Sequence, residues 1–461
     1  MPEALPFIFF ALVFLFLLAG YPVAFTLGGI STIFGIIVLG PDFFNLLPLR
    51  IMGTMSNFVL LSVPLFIYMG IMLEKSGLAE SMLETMALLF GRFRGGLAIS
   101  VILVGAMLAA STGIVGATVV TMGLISLPTM LKRGYSPELS TGTIAASGTL
   151  GQIIPPSVVL ILLGDVMQIS VGNLFKAAIV PGLLLVVLYL VFILVVAFVK
   201  PEFVPRMPKE ELDAFWRGTK PEMASKILYA FLLPFLLILA VLGSIFVGIA
   251  SPTEAAGVGA LGATILTILA AWKKKTLKLK LFQDVMQETT RLTSMIFLIL
   301  VGATTFSLVF KGMEGDHLLT GFIENSQLSA EMFLLLVMLV VFIAGFFIDF
   351  IEIIFIIVPV VNPVFVKFAA SGEGIFAQFQ TLGIPGGAMI WIGILLALNL
   401  QTSFLSPPFG FSLFYLKGVA PPEITTGHLY RGIIPFIAIQ VIFLGIVILF
   451  PEIVMFLFLK G

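Results

Sequence analysis

The chain has 461 residues, 60% hydrophobic and only 10% charged, and its 24 basic and 24 acidic side chains leave no net charge. A soluble domain carries about a quarter charged residues, so this composition excludes an ordinary soluble fold. There is no cysteine, which excludes a disulfide framework or a thiolate metal site, and nothing in the composition supports nucleic-acid binding.

Apolar runs of 18 or more residues recur along the chain, for example Leu174 to Val199 and Ile433 to Phe458. Such runs are long enough to span a bilayer as helices, whereas a large barrel would show alternating segments of about ten residues. The pattern predicts an all-α polytopic membrane protein in contact with lipid.

In chain order, the start Met-Pro-Glu-Ala-Leu has no basic stretch, so the first apolar run reads as a span and not as a cleaved signal peptide. Spans follow at 5–20, 22–40 and 57–74. The segment Leu78 to Phe93 mixes apolar residues with Glu80, Glu84, Arg92 and Arg94, and reads as an amphipathic arm in the interface plane. A non-crossing hairpin is expected at 97–130, a broken span at 138–168 and a span at 174–199, closing a first unit at 1–199. The polar linker 200–226 holds Pro201, Pro205, Pro208 and Pro221, and its middle, Lys209 to Arg217, reads as a short surface helix. A second unit at 227–461 gives spans at 227–249, 253–271 and 292–311, a hairpin at 331–366, a broken span at 388–417 and a last span at 432–459.

Landmarks of the first unit recur in the second. Pro22 in Gly20-Tyr-Pro-Val-Ala-Phe matches Pro252 in Ile249-Ala-Ser-Pro-Thr-Glu at an offset of 230, and Pro128 matches Pro359 at 231. Pro155-Pro156 matches Pro407-Pro408 at 252, and Pro181 matches Pro435 at 254. One insertion, from Ala369 to Gly387, accounts for the jump. An odd number of crossings in each unit makes the second an inverted copy of the first. With the linker in the cytoplasm, only Arg50, Lys176, Lys311, Lys367 and Lys460 of the 24 basic residues fall outside, as the positive-inside rule demands. Both termini are then expected outside, with the two hairpins entering from opposite sides.

The paired prolines lie inside Ser147-Gly-Thr-Leu-Gly-Gln-Ile-Ile-Pro-Pro-Ser157 and Asn399-Leu-Gln-Thr-Ser-Phe-Leu-Ser-Pro-Pro-Phe409. Proline lacks an N–H, and unwound backbone at membrane depth persists only where protein or a watery cavity satisfies it. Two such breaks mark the binding region of a secondary transporter. The first hairpin turns near Ser111, Thr112, Gly113 and Thr118, and the first break adds Gly148, Thr149 and Gly151. A dehydrated Na⁺ needs about five or six oxygens, which hydroxyls and bare carbonyls supply; the alternative is that small residues simply let helices pack closely. At the second hairpin, Asp349 and Glu352 are ionisable at membrane depth, and Asp349 either serves an ion or substrate or caps the second arm. Asn399, Gln401, Thr402, Ser403 and Ser406 cluster within eight residues, and with Asp349 they include the candidate substrate contacts Asn399, Gln401 and Thr402. Ser251-Pro-Thr-Glu254 reads as a capping box. His317 and His428 stand alone, and no hydrolase or P-loop pattern is present, so energy must come from an ion gradient or another subunit. A different class of reading is an intramembrane enzyme using Asp349 and Glu352 as a carboxylate pair.

Gly-Thr-Leu-Gly-Gln-Ile-Ile-Pro-Pro-Ser (148–157), Ala-Ser-Pro-Thr-Glu-Ala-Ala (250–256), Gly-Tyr-Pro-Val-Ala-Phe (20–25) and Pro-Pro-Phe-Gly-Phe-Ser-Leu-Phe (407–414) resemble the large membrane subunit of tripartite ATP-independent periplasmic transporters. The resemblance implies the transport subunit of a Na⁺-driven importer in a bacterial inner membrane. Its partners would be a small four-helix membrane subunit and a periplasmic substrate-binding protein delivering an organic acid. It also implies an elevator mechanism, with hairpins and broken helices as the mobile part. Carried over by position, one Na⁺ site would use Ser111, Thr112, Gly113, Gly148, Gly151 and Pro156, and a second Gly345, Ser403 and Ser406 with Asp349 close by. The chain departs from many members in having Gly113-Ile-Val-Gly where more serines are usual, and Ser403 where glycine is frequent. The variant Ile348-Asp-Phe-Ile-Glu352 with Leu400-Gln-Thr-Ser403 resembles a branch associated with 2-oxo and 2-hydroxy acids. A free-standing symporter of similar design is the alternative within transport.

Overall fold

The computed structural model describes residues 4–113, 115–208, 210, 212–213, 227–274, 278–326, 328–408 and 410–459. Among the described residues the secondary structure is helical throughout, with no strand. The first half comprises α1 (Leu5–Leu18), α2 (Val23–Leu39), α3 (Leu47–Met55), α4 (Ser62–Lys75), α5 (Leu78–Phe90), α6 (Gly96–Thr112), α7 (Val115–Lys132), α8 (Pro137–Thr149), α9 (Val158–Met167) and α10 (Val171–Val199). The second half comprises α11 (Leu233–Phe246), α12 (Pro252–Lys274), α13 (Leu279–Gly312), α14 (Gly315–Asn325), α15 (Ala330–Ala344), α16 (Phe350–Ile356), α17 (Val358–Ser371), α18 (Ala377–Leu382), α19 (Gly387–Leu405), α20 (Phe411–Val419), α21 (Thr426–Leu449) and α22 (Glu452–Leu459).

Local chemistry fixes many of these starts. Ser136, Ser157, Ser170, Ser329 and Thr425 cap α8, α9, α10, α15 and α21, each accepting a backbone N–H two or three residues into its helix. The box expected at α12 forms: Ser251 N–H donates to Glu254 Oε2 at 2.7 Å, and Glu254 N–H to Ser251 Oγ at 3.3 Å. Among the described residues, six helices, α7, α10, α12, α13, α19 and α21, are long and apolar enough to cross a membrane.

Three expectations change in detail. The span placed at 57–74 is the second limb of a bent pair, Pro41–Met55 and Val59–Lys75, which meet at 54° around Ser56-Asn57. The span placed at 292–311 begins at Leu279, because its N-terminal turns continue as a helix held to α4 by a Lys75–Glu288 ion pair of 2.5 Å. The insertion folds as a turn at Gly374–Phe376 followed by α18. Phe376 and Phe379 of that segment pack on Trp391 of α19, whose Nε1 donates to the Val447 carbonyl at 3.0 Å. The segment at 78–90 is a helix with Leu78, Met82, Leu83 and Met86 buried against α6 and with Glu80 and Glu84 exposed. The surface helix expected at 209–217 lies largely outside the described residues.

The two halves make the same contacts with exchanged roles. The second helix of the first half, α2, lies along α13, the third of the second half; conversely, α12 lies along α4. The first limb of one broken helix, α8, packs on α21, while the corresponding α19 packs on α10. The second limbs behave likewise, α20 against hairpin arm α7 and α9 against α16 and α17. Each half thus completes the other. α19 is buried along its whole length at the centre, while apolar side chains such as Phe198 (92% exposed) and Ile37 (77%) face outward, as a lipid-embedded protein requires.

Candidate functional site

Both proline pairs interrupt a helix, and both peptide bonds, Pro155–Pro156 and Pro407–Pro408, are cis. In the first half α8 stops at Thr149, a single 3₁₀ turn spans Leu150–Gln152, and α9 resumes at Val158. In the second, α19 continues through Asn399 to Leu405, and the described residues Ser406 to Pro408 and Gly410 are unwound. The first break is narrower than expected, because Gly148 is helical, while Asn399, Gln401, Thr402 and Ser403 lie on the helical limb that the second proline pair ends. Proline disturbs chiefly the carbonyl four residues before it and the conformation of its predecessor. Ser406 accordingly adopts an extended backbone, with ψ of 132°.

The carbonyls that the second prolines leave without their helical partner are met by a serine hydroxyl in both halves. The second proline of each pair frees Gln152 O in one break and Phe404 O in the other. Ser157 Oγ donates to Gln152 O at 2.8 Å, and Ser412 Oγ donates to Phe404 O at 3.0 Å. Hydroxyls take over the role of missing amides, as broken helices in lipid require. The first proline of each pair frees Gly151 O and Ser403 O, and Ser403 O is met by Ser406 N–H at 3.1 Å.

Each break is clasped by its own hairpin. A methyl on Gly151 would stand 2.4 Å from Ala109 O of α6, and one on Gly148 would stand 2.5 Å from a Val119 methyl of α7. At the tip, Gly113 takes φ +61° and faces Val158 at the start of α9. Ser111 donates to Leu108 O at 2.8 Å, and the Thr112 and Thr118 hydroxyls lie 2.7 Å apart. In the second half the glycine is on the hairpin: a methyl on Gly345 would approach Ser403 Oγ to 2.1 Å. The structure therefore brings Ser111, Thr112, Gly113, Gly148 and Gly151 into one neighbourhood, and Gly345 with Ser403 and Ser406 into another. Ser111, Thr112, Ser403 and Ser406 are all buried.

Hydrogen bonding separates the remaining candidates. Thr402 Oγ1 donates to Leu398 O at 2.8 Å, Ser403 Oγ to Leu400 O at 2.9 Å and Ser406 Oγ to Thr402 O at 2.9 Å, each leaving lone pairs free. Asn399 Nδ2 donates to Met338 O of α15 at 2.7 Å, tying hairpin to broken helix. Gln401 is fully buried and neither atom of its amide has a hydrogen-bond partner among the described residues. Gln152 is in the same condition in the first break. A buried unpartnered polar group costs about 1–3 kcal/mol, so these amides await a partner. Gln152 stands inside a motif whose glycines and prolines drew the reading, and no local pattern signals its burial.

Asp349 is the N-cap of α16: its Oδ1 accepts Phe350 N–H at 2.5 Å, and Glu352 Oε2 accepts Asp349 N–H at 3.3 Å. The capping alternative is thus realised, with both carboxylates held by backbone amides at the tip of the second hairpin. Tyr415 of α20 lies within electrostatic reach of both and packs against Gly116 of α7, so it links the two hairpins. Among the described residues no group of three or more His, Asp or Glu side chains gathers as a metal site. The oxygens at the breaks are neutral, which suits a hard monovalent cation better than a transition metal.

Apart from the breaks, a cavity of about 670 Å³ opens between Asn57 and Pro252 on one side and Asp165, Gln168, Asn173 and Lys176 on the other. Asn57, from the α3–α4 bend, donates to the Asp165 carboxylate at the end of α9.

A solved structure of the same architecture, the Alcanivorax borkumensis YdaH transporter, aligns with a TM-score of 0.59 over 94% of this chain and 98% of that one, at 14% identity. The chain is 31% identical to the C4-dicarboxylate large permease protein DctM of Pseudomonas aeruginosa, over 92% of each. It is 28% identical to the sialic acid large permease protein SiaM of Vibrio cholerae, over 95% of this chain and 94% of that one. These relatives are transporter permeases, which agrees with a transport protein and not an enzyme. Residues 10–453 match the family model described as "Tripartite ATP-independent periplasmic transporter, DctM component", and the chain belongs to that family.

Proposed function

We propose that this chain is the transport subunit of a Na⁺-coupled, binding-protein-dependent importer of a small organic acid. The observation that carries the reading is the pair of broken helices in which a serine hydroxyl meets the carbonyl freed by the second proline, Gln152 O in one half and Phe404 O in the other. A helix interrupted in this way at the centre of a membrane protein is how secondary transporters expose oxygens to an ion. Gly148, Gly151 and Pro156 with Ser111, Thr112 and Gly113 would hold one Na⁺, and Gly345, Ser403 and Ser406 a second. Asp349 offsets the second cation's charge, while Gln401, Gln152, Asn399 and Thr402 offer amide and hydroxyl groups to the substrate carboxylate. The named relatives carry organic acids, a C4-dicarboxylate and sialic acid, which supports that substrate class; a 2-oxo or 2-hydroxy acid is our narrower reading.

A small four-helix membrane subunit and a periplasmic binding protein complete the tripartite system. In the elevator we envisage, α6–α10 and α15–α22 move against a scaffold of α1–α4 and α11–α13, with the linker cytoplasmic and both termini periplasmic. Reconstitution into liposomes with the small subunit and binding protein tests this. Uptake should require an inward Na⁺ gradient, and Ser403→Ala with Ser406→Ala should raise the Na⁺ half-saturation at least fivefold. Uptake by this chain alone would reassign it as a free-standing symporter, and Na⁺-independent uptake would remove the coupling.

A further inference from the structure

A cavity of about 540 Å³ opens where the linker leaves α10. One wall is Phe192, Val195, Val196 and Val199, which the i, i+3, i+4, i+7 spacing sets on a single face of α10. The facing wall is Leu139 of α8 with Gly432 and Pro435 of α21. α8 and α21 cross so closely there that a methyl on Gly432 would lie 2.0 Å from Glu138 O, and glycine leaves this wall without a side chain. The cavity runs into the outward apolar surface of α10, where Val199 is 70% exposed.

The polar groups gather at the mouth. Lys200 and Arg431 both line it and both are exposed. Lys200 Nζ stands 5.0 Å from the Phe203 ring centroid, and Arg431 has no ion-pair partner among the described residues. The one acid, Glu138, is turned to His428: its Oε1 is 4.0 Å from Nε2, while Nδ1 accepts Thr425 N–H at 3.3 Å and so leaves the hydrogen on Nε2. The Ser136 hydroxyl is engaged in capping α8. The site is therefore an apolar slot with two cations at its entrance.

We propose that this cavity binds an anionic phospholipid, its phosphate between Lys200 and Arg431 and one acyl chain along the Phe192–Val199 face of α10. A small carboxylate would use the cations and leave the slot empty. A polypeptide would bury amides against walls that offer no partner. A zwitterionic lipid would bring its own cation beside Lys200 and Arg431, whereas basic pockets between membrane helices favour anionic head groups. The assignment stands apart from the transport reading.

The full chain, delipidated in detergent, is tested by native mass spectrometry with dioleoyl phosphatidylglycerol, dioleoyl phosphatidylethanolamine and glycerol 1-phosphate. Phosphatidylglycerol should be retained at least tenfold better than phosphatidylethanolamine. Lys200→Gln with Arg431→Gln should abolish the preference, and Val196→Trp, which fills the slot but keeps both cations, should lower retention of both lipids. Size-exclusion profiles identify any variant that misfolds, and the solvent positions of Lys200 and Arg431 make the double variant the decisive one. Equal retention of the two lipids, or an unchanged preference in the double variant, overturns the proposal. So does glycerol phosphate binding as tightly as the lipid, which would make the site one for a soluble anion. Displacement of bound phosphatidylglycerol by the small subunit would make this face a protein interface and also overturn it.

Discussion

Gly345 and Ser403 illustrate how little room the second break allows. A methyl on Gly345 would come within 2.1 Å of the Ser403 hydroxyl and 2.5 Å of its Cβ, and although the hydroxyl can rotate, Cβ is fixed to the helix backbone. Gly345→Ala should therefore abolish uptake and lower the melting temperature, overpacking of this kind costing about 1–3 kcal/mol. Ser403→Gly removes the colliding atoms, so the double variant should recover the melting temperature of the wild type. If the double variant melts as low as Gly345→Ala, the contact is not what makes glycine necessary. The comparison also separates packing from ion binding, because the rescued protein lacks the Ser403 hydroxyl and should keep a raised Na⁺ half-saturation. Around the first break the same density appears with the glycines on the helix, at 148 and 151, and the clasping atoms on the hairpin.

At the scale of single elements, the second hairpin arm, α16, rests on the Asp349–Glu352 box. Asparagine caps a helix about as well as aspartate, while alanine loses about 0.5–2 kcal/mol. Asp349→Asn should leave the melting temperature within a degree of the wild type, and Asp349→Ala should lower it. If the carboxylate also serves the cation, Asp349→Asn should raise the Na⁺ half-saturation at least fivefold at unchanged stability. Unaltered uptake by that variant would confine Asp349 to capping. Much of this scale was legible beforehand: proline pairs, serine and threonine caps and the linker's prolines are local signals that lipid makes obligatory, since no water can cover a bare amide. The α3–α4 bend was not, because the segment 41–55 is mixed in character, with Arg50 and Asn45, and no proline marks the corner at Ser56. The helical placement of Asn399 and Thr402 was legible from their spacing, with the prolines ending the helix. Only tertiary burial distinguishes Gln401 and Gln152, without partners, from Asn399, which is bonded to Met338 O.

At the scale of the whole molecule, the offsets between prolines reported a duplication, but the exchange of partners between halves is a property of three dimensions. The proposed moving and fixed parts touch at the Asn57–Asp165 hydrogen bond and at Thr121 of α7, which donates to Glu74 of α4. The chain has no native cysteine, so an Asn57→Cys, Asp165→Cys pair can be joined without background. Joining it with a short bis-methanethiosulfonate reagent, or oxidising it to a disulfide with copper phenanthroline, should stop uptake, and reduction should restore it; full uptake in the joined protein would refute relative motion at this seam. The reciprocal packing also bears on how the chain is made. α4 meets its neighbour α12 only after about 180 further residues have left the ribosome, and α8 its neighbour α21 only after about 280. During that interval the break is held by its own hairpin, but the face of α8 around Gly142, which Gly432 of α21 touches backbone to backbone, stands uncovered, so insertion of the final helices is the event that completes the packing of the leading half.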